Sequence, residues 1–139
     1  MNENLKNLIF EACKNLNAEL VYENKENFGY VFLVPCDEGR KQNVIITRSE
    51  DYLKIATPIA RYQYVNPVAV LEYNFLIQEG SLGVADFDFN DGLGNTSSLF
   101  FVTTQLIKTA DLEEIQNKIK TTAIEGDRVE KTLIGRDRI

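Results

Sequence analysis

The sequence predicts an α+β domain with elements in the order α-β-β-β-α-β-β-α, a five-stranded antiparallel sheet with helices packed on it. Three observations carry this prediction. Segments near both ends repeat apolar residues at helical spacing, with charged residues between them. Short runs of apolar, aromatic and β-branched residues lie between those segments. The links between the first three runs are too short for crossovers, so neighbouring strands turn back on one another.

In chain order, Leu5, Leu8, Ile9, Ala12, Cys13 and Leu16 form one face of a first helix, with Lys6, Asn7, Glu11 and Lys14 opposite. The Asn-rich stretch after it reads as a loop. Phe28 to Val34 is apolar on both faces, as a central strand is, and Pro35 ends it. Asp37-Glu38-Gly39 turns the chain into a second strand, Val44 to Thr47. Ser49-Glu50-Asp51 turns it into a third, Tyr52 to Thr57. Asn66-Pro67 opens a second helix: Asn caps the free N–H groups, and Pro fits the first helical position. That helix reads to about Gln78, stopped by Gly80.

Leu82 to Phe89 is a fourth strand, with Ala85, Phe87 and Phe89 on a core face and Asp86 and Asp88 on a solvent face. Asn90 to Ser97 is a loop, and Ser98 to Gln105 returns as a fifth strand. Thr109 is placed as the cap of a third helix, with Asp111, Glu113 and Glu114 near its positive end. Leu112, Ile115, Ile119, Ala123, Val129 and Leu133 keep helical spacing. Gly126 predicts a bend or fraying, and residues from about 135 to 139 a mobile tail.

The 139 residues fit a single domain spanning the whole chain, and 44% hydrophobic with 26% charged residues is an ordinary folded composition. A net charge of -6 argues against nucleic-acid partners, which need a cationic footprint, and against anionic membrane surfaces. The Met1 segment has no secretory pattern and no apolar run reaches the roughly 20 residues of a membrane span, so a cytoplasmic location is expected. There is no histidine, which removes the commonest general base and the imidazole metal ligand. Cys13 and Cys36 form no metal-ligand pattern and read as buried free thiols. No cofactor is implied.

Between Val68 and Ile77 only Glu72 and Asn74 are strongly polar. One sheet covers one face of such a helix, which leaves Val68, Leu71 and Phe75 as candidates for a dimer interface. From Arg61 to Lys108 there is no further Lys or Arg, while Glu72, Glu79, Asp86, Asp88 and Asp91 fall there. That stretch is either a solvated acidic surface or one that steers a basic segment. Asp86 to Gly92 superficially resembles a calcium loop, but counted from Asp86 the sixth position is Asp91 and the twelfth Ser97, where Gly and Glu are required. Asp86 and Asp88 remain the residues a small ligand-binding domain or enzyme would use. Gly92-Leu93-Gly94-Asn95 lacks the ending of a phosphate loop and reads as a turn.

The order of elements resembles the type III secretion chaperone-like fold, whose members include CesT-like secretion chaperones and YbjN-like proteins. The likeness is clearest over Val70 to Leu133. Leu71-Glu72-Tyr73-Asn74-Phe75 is similar to the family's second helix, and Leu82-Gly83 with Asp86 and Asp88 to its fourth strand. Leu106, Leu112-Glu113-Glu114-Ile115 and Ile119 are similar to its closing strand and last helix. The chain departs from many members in having no Trp. The resemblance implies a non-catalytic, chaperone-like homodimer that binds a segment of another protein without ATP or metal. The first helix (Leu5, Leu8 and Ile9) and an exposed strand edge are the expected partner site. A purely structural or regulatory role of the YbjN-like kind is the alternative.

Overall fold

A computed structural model describes residues 2–88 and 92–134. Within them the chain forms α1 (Asn2–Asn15), β1 (Glu19–Asn24), β2 (Gly29–Pro35), β3 (Lys41–Ser49) and β4 (Tyr52–Arg61). It continues as α2 (Pro67–Leu76), β5 (Ser81–Asp88), β6 (Asn95–Leu106) and α3 (Leu112–Leu133). The sheet has six antiparallel strands in the order β1-β2-β3-β4-β6-β5, not five.

The extra strand is β1, in the stretch read from sequence as a loop. Its register against β2 shifts between Leu20 and Tyr22. That bulge breaks the alternation on which a strand is recognised. β1 is also an edge strand, and Leu20, Val21 and Tyr22 are all exposed. The expected tail at 135–139 lies outside the described residues.

Register sorts the side chains between the two sides of the sheet. Phe32 pairs with Val44, Tyr30 with Ile46, and Ile46 with Ile55, so these rows share one side. On that side they meet Leu5, Ile9, Ala12 and Cys13 of α1 and Ile115, Ile119 and Ala123 of α3. A second cluster gathers Ile59, Val65, Val70, Leu82, Leu99, Phe101 and Val129 under α2 and the end of α3. All three helices therefore cover the same side. The other side holds Val31, Ile45, Ala56, Val102, Phe100 and Gly83, paired in rows across the strands.

Between the two clusters runs a polar seam. Thr57 donates to Gln42 Oε1 at 3.2 Å, and Gln42 donates to Glu130 at 3.1 Å. Thr103 and Thr122 share a buried hydrogen bond of 2.8 Å. Here α3 crosses β4 closely, with Gly126 lying on the Thr57 side chain. The helix continues through Gly126 without the expected fraying. The glycine serves close approach and not flexibility. α3 starts one turn-residue pair later than expected: Asp111, not Thr109, is its cap, accepting from Glu114 N–H at 2.8 Å while Glu114 accepts from Asp111 N–H.

Arg40 closes the far end of the seam. Its Nε and Nη2 donate to Asp127 Oδ1 and Oδ2 at 2.9 and 2.8 Å, tying the β2–β3 turn to α3. The guanidinium hydrogen bond holds the Asp127 carboxyl below its ordinary value, against the opposing effect of burial.

Candidate protein-binding surfaces

α2 is a short helix fixed at its start and along its inner face. Asn66 Oδ1 accepts from the N–H groups of Val68 and Ala69, and Pro67 follows it. Asn74 reads the β5 backbone with both ends of its amide. Its Oδ1 accepts from Leu82 N–H at 2.8 Å, and its Nδ2 donates to Leu82 O at 3.3 Å. Tyr73 donates to Glu125 of α3 at 2.9 Å; burial first, then the neighbouring carboxylate, pushes its hydroxyl up to about 12. Val70 is the buried residue of the helix.

The outer face of α2 is apolar and uncovered. Val68 is 62% exposed, Leu71 69%, Phe75 89% and Leu76 76%. Glu72 falls between Val68 and Leu76 at about 3.6 residues per turn. Isolated exposed apolar residues are ordinary, but Val68, Leu71 and Phe75 adjoin on one helix face, with Leu76 beyond Glu72, as on an interaction surface. The three residues singled out from sequence, Val68, Leu71 and Phe75, all lie on that face. Leu76 was missed because the pattern gave no reason to prefer it over the inner residues.

The first-helix site is different. Leu5 and Ile9 are buried in the core, and Leu8 is half-buried against it. Their periodicity marks the side of α1 that faces the sheet and α3, so Leu5 and Ile9 present no surface to a partner and Leu8 only part of one. The open edges of the sheet are β1 and β5.

Asp86 and Asp88 are both exposed, on the same side of the sheet as the helices. Phe87 turns the opposite way and meets Phe100 edge to face, with ring centroids 5.5 Å apart. It is half-buried there and takes no part in the core expected from the alternation. Phe89, Asn90 and Asp91 of the calcium-like stretch lie outside the described residues. Cys13 is buried, but Cys36 is half-buried. Its thiol donates toward Ala123 O at 3.4 Å.

A groove that sequence reading missed lies on the side of the sheet away from the helices. It is lined by residues including Ile45, Lys54, Ala56, Gly83, Phe100 and Val102, and holds about 380 Å³. Its signal in the sequence was present but weak: β3, β4 and β6 carry apolar residues on both faces, and Gly83 sits inside a strand. Among the described residues no helix is long and apolar enough to cross a membrane. Compared with known proteins, the chain matches no protein family and no curated protein.

Proposed function

We propose that this protein is a non-catalytic, chaperone-like binding module of the cytoplasm that pairs with a second copy through α2 and holds a segment of another protein. The observation that carries the reading is the outer face of α2, where Val68, Leu71, Phe75 and Leu76 stand in water in the single chain. Fully burying one such side chain contributes roughly 1.5–3 kcal/mol, so a seam made twice over from these residues has enough apolar surface to hold two copies together. The order of elements supports the type III secretion chaperone-like reading; β1 adds a strand at one edge.

A photo-crosslinking residue in place of Phe75 tests the seam. On irradiation it is expected to join two copies of the chain, at or near Val68, Leu71 or Leu76 of the second. Crosslinks confined to one chain would remove the seam from the account. The rival reading, a ligand site at Asp86 and Asp88, has less support, since both carboxylates lie exposed on an edge strand.

A further inference from the structure

One-sided antiparallel sheets ordinarily turn polar side chains to water on their uncovered side. This sheet does so only in part: Lys54, Thr47 and Thr104 form one polar row there. Ile45, Ala56, Val102 and Phe100 form adjoining rows there, and Phe100 and Ala56 are buried with no described helix over them. The groove lies among them.

Gly83 forms part of its floor, opposite Phe100. Nothing in the fold requires glycine at this position. Its backbone is not left-handed, and a Cβ built on it meets no atom within 4 Å. Glycine inside a strand weakens the strand, and a recurring reason to find one is the close approach of a ligand or another backbone. Lys54 stands at one end of the groove, exposed, between Thr47 and Thr104 in the register. Among the described residues its ammonium has no ion pair or side-chain hydrogen bond. The groove thus offers an unpaired ammonium at Lys54, with Asp86 of the edge strand also on its lining, on a body of net charge -6.

We propose that this groove docks an amphipathic helix of a partner protein, its apolar stripe laid over Gly83, Ala56 and Val102 and an acidic side chain near one end meeting Lys54. The inference rests on the protein-binding function proposed above and assigns its site. A helix satisfies its own backbone groups, whereas an extended segment laid flat on an apolar sheet face would bury N–H and C=O groups without partners. The missing side chain at Gly83 lets a helix ridge seat deeply. The groove is too open to enclose most of a lipid tail, as a lipid site would. Lys54 selects an acidic helix over a basic one.

The test uses stapled Ala/Leu amphipathic helices of about 18 residues, ending in Glu or in Lys, titrated into the ¹⁵N-labelled Phe75→Asp protein. The Glu-ended peptide is expected to shift the amides of Gly83, Ala85 and Val102 and to bind at least about tenfold tighter than the Lys-ended one. Lys54→Glu is expected to reverse that order. Gly83→Leu is expected to weaken binding at least about tenfold while melting no lower than its parent, which separates a filled groove from a failed fold. Shifts confined to α2 or a strand edge would overturn the groove and leave the protein-binding function standing. Binding of neither peptide, an unreversed order in Lys54→Glu, or shifts with decanoate alone would overturn the proposal. So would shifts at Gly83 that grow with protein concentration before any peptide is added, which would assign the groove to a second copy.

Discussion

Gly126→Ala puts the packing of α3 on the sheet to a quantitative test. In an exposed helix interior this change stabilises by about 1 kcal/mol. Here the new Cβ lands on Cγ2 of Thr57, with Thr57 Cβ at 3.4 Å and Oγ1 at 3.5 Å. Thr57 is fully buried. If Thr57 rotates away, its hydrogen bond to Gln42 is lost, at about 0.5–1.5 kcal/mol, and a buried hydroxyl is stranded. If α3 lifts instead, both core clusters loosen, and overpacking of this kind costs about 1–3 kcal/mol. The clash outweighs the propensity gain, and the expected result is a net loss of about 1–2 kcal/mol. In urea unfolding the midpoint falls by about 0.5–1 M with an unchanged slope. Thr57→Ser removes Cγ2 and keeps the hydroxyl, so in the double variant the loss largely disappears. A Gly126→Ala protein more stable than its parent, or strict additivity with Thr57→Ser, would refute the reasoning.

Three further outcomes follow from the same structure. Because Arg40 lowers the Asp127 carboxyl in the folded chain, this pair stabilises the fold above the ordinary value of 3.8 and the contribution is lost as pH falls below it. Arg40→Met is therefore expected to lose less melting temperature than the parent on acidification below 3.8, as followed by circular dichroism; equal acid limbs would exclude the pair as the cause. Burial pushes Cys13 up to about 12 and Cys36 to about 11, so at neutral pH neither thiol is expected to react with a disulfide reagent at the rate seen in denaturant. A native-state reaction at the denatured rate would place one of them at the surface. Asn74→Ala breaks both hydrogen bonds to Leu82 and is expected to cost about 1–2 kcal/mol and speed amide exchange in α2, whereas unchanged protection there would show that α2 is held elsewhere.

The elements with strong periodicity were legible in the sequence as to kind and order, but their bounds were not: β3 and β4 run beyond the expected Val44–Thr47 and Tyr52–Thr57, β6 begins at Asn95 inside the expected loop, and α3 is capped by Asp111 and not Thr109. β1 was not, because a bulge and three exposed apolar residues hide the alternation of an edge strand. Gly126 misled because glycine in a helix reads as a weak point when its contact across the core is unseen. The same blindness explains α1. Leu5 and Ile9 mark an apolar face, but only the fold shows that α3 and the sheet cover it. On α2 the argument from too much apolar surface picked out side chains that stand exposed, while Val70, Tyr73 and Ile77 pack inward. The groove at Gly83 depends on strands far apart in the chain coming into register, which local pattern does not report.

The central claim is that α2 joins two copies. Light scattering on the eluting protein over a wide concentration range tests it most directly. The parent is expected to hold a mass of twice 15.8 kDa. Phe75→Asp removes one exposed ring from each copy, about 3–6 kcal/mol for the pair, and is expected to elute at 15.8 kDa with an unchanged circular dichroism spectrum. A parent that elutes as a single chain at every concentration, or a Phe75→Asp protein that keeps the doubled mass, would contradict the account.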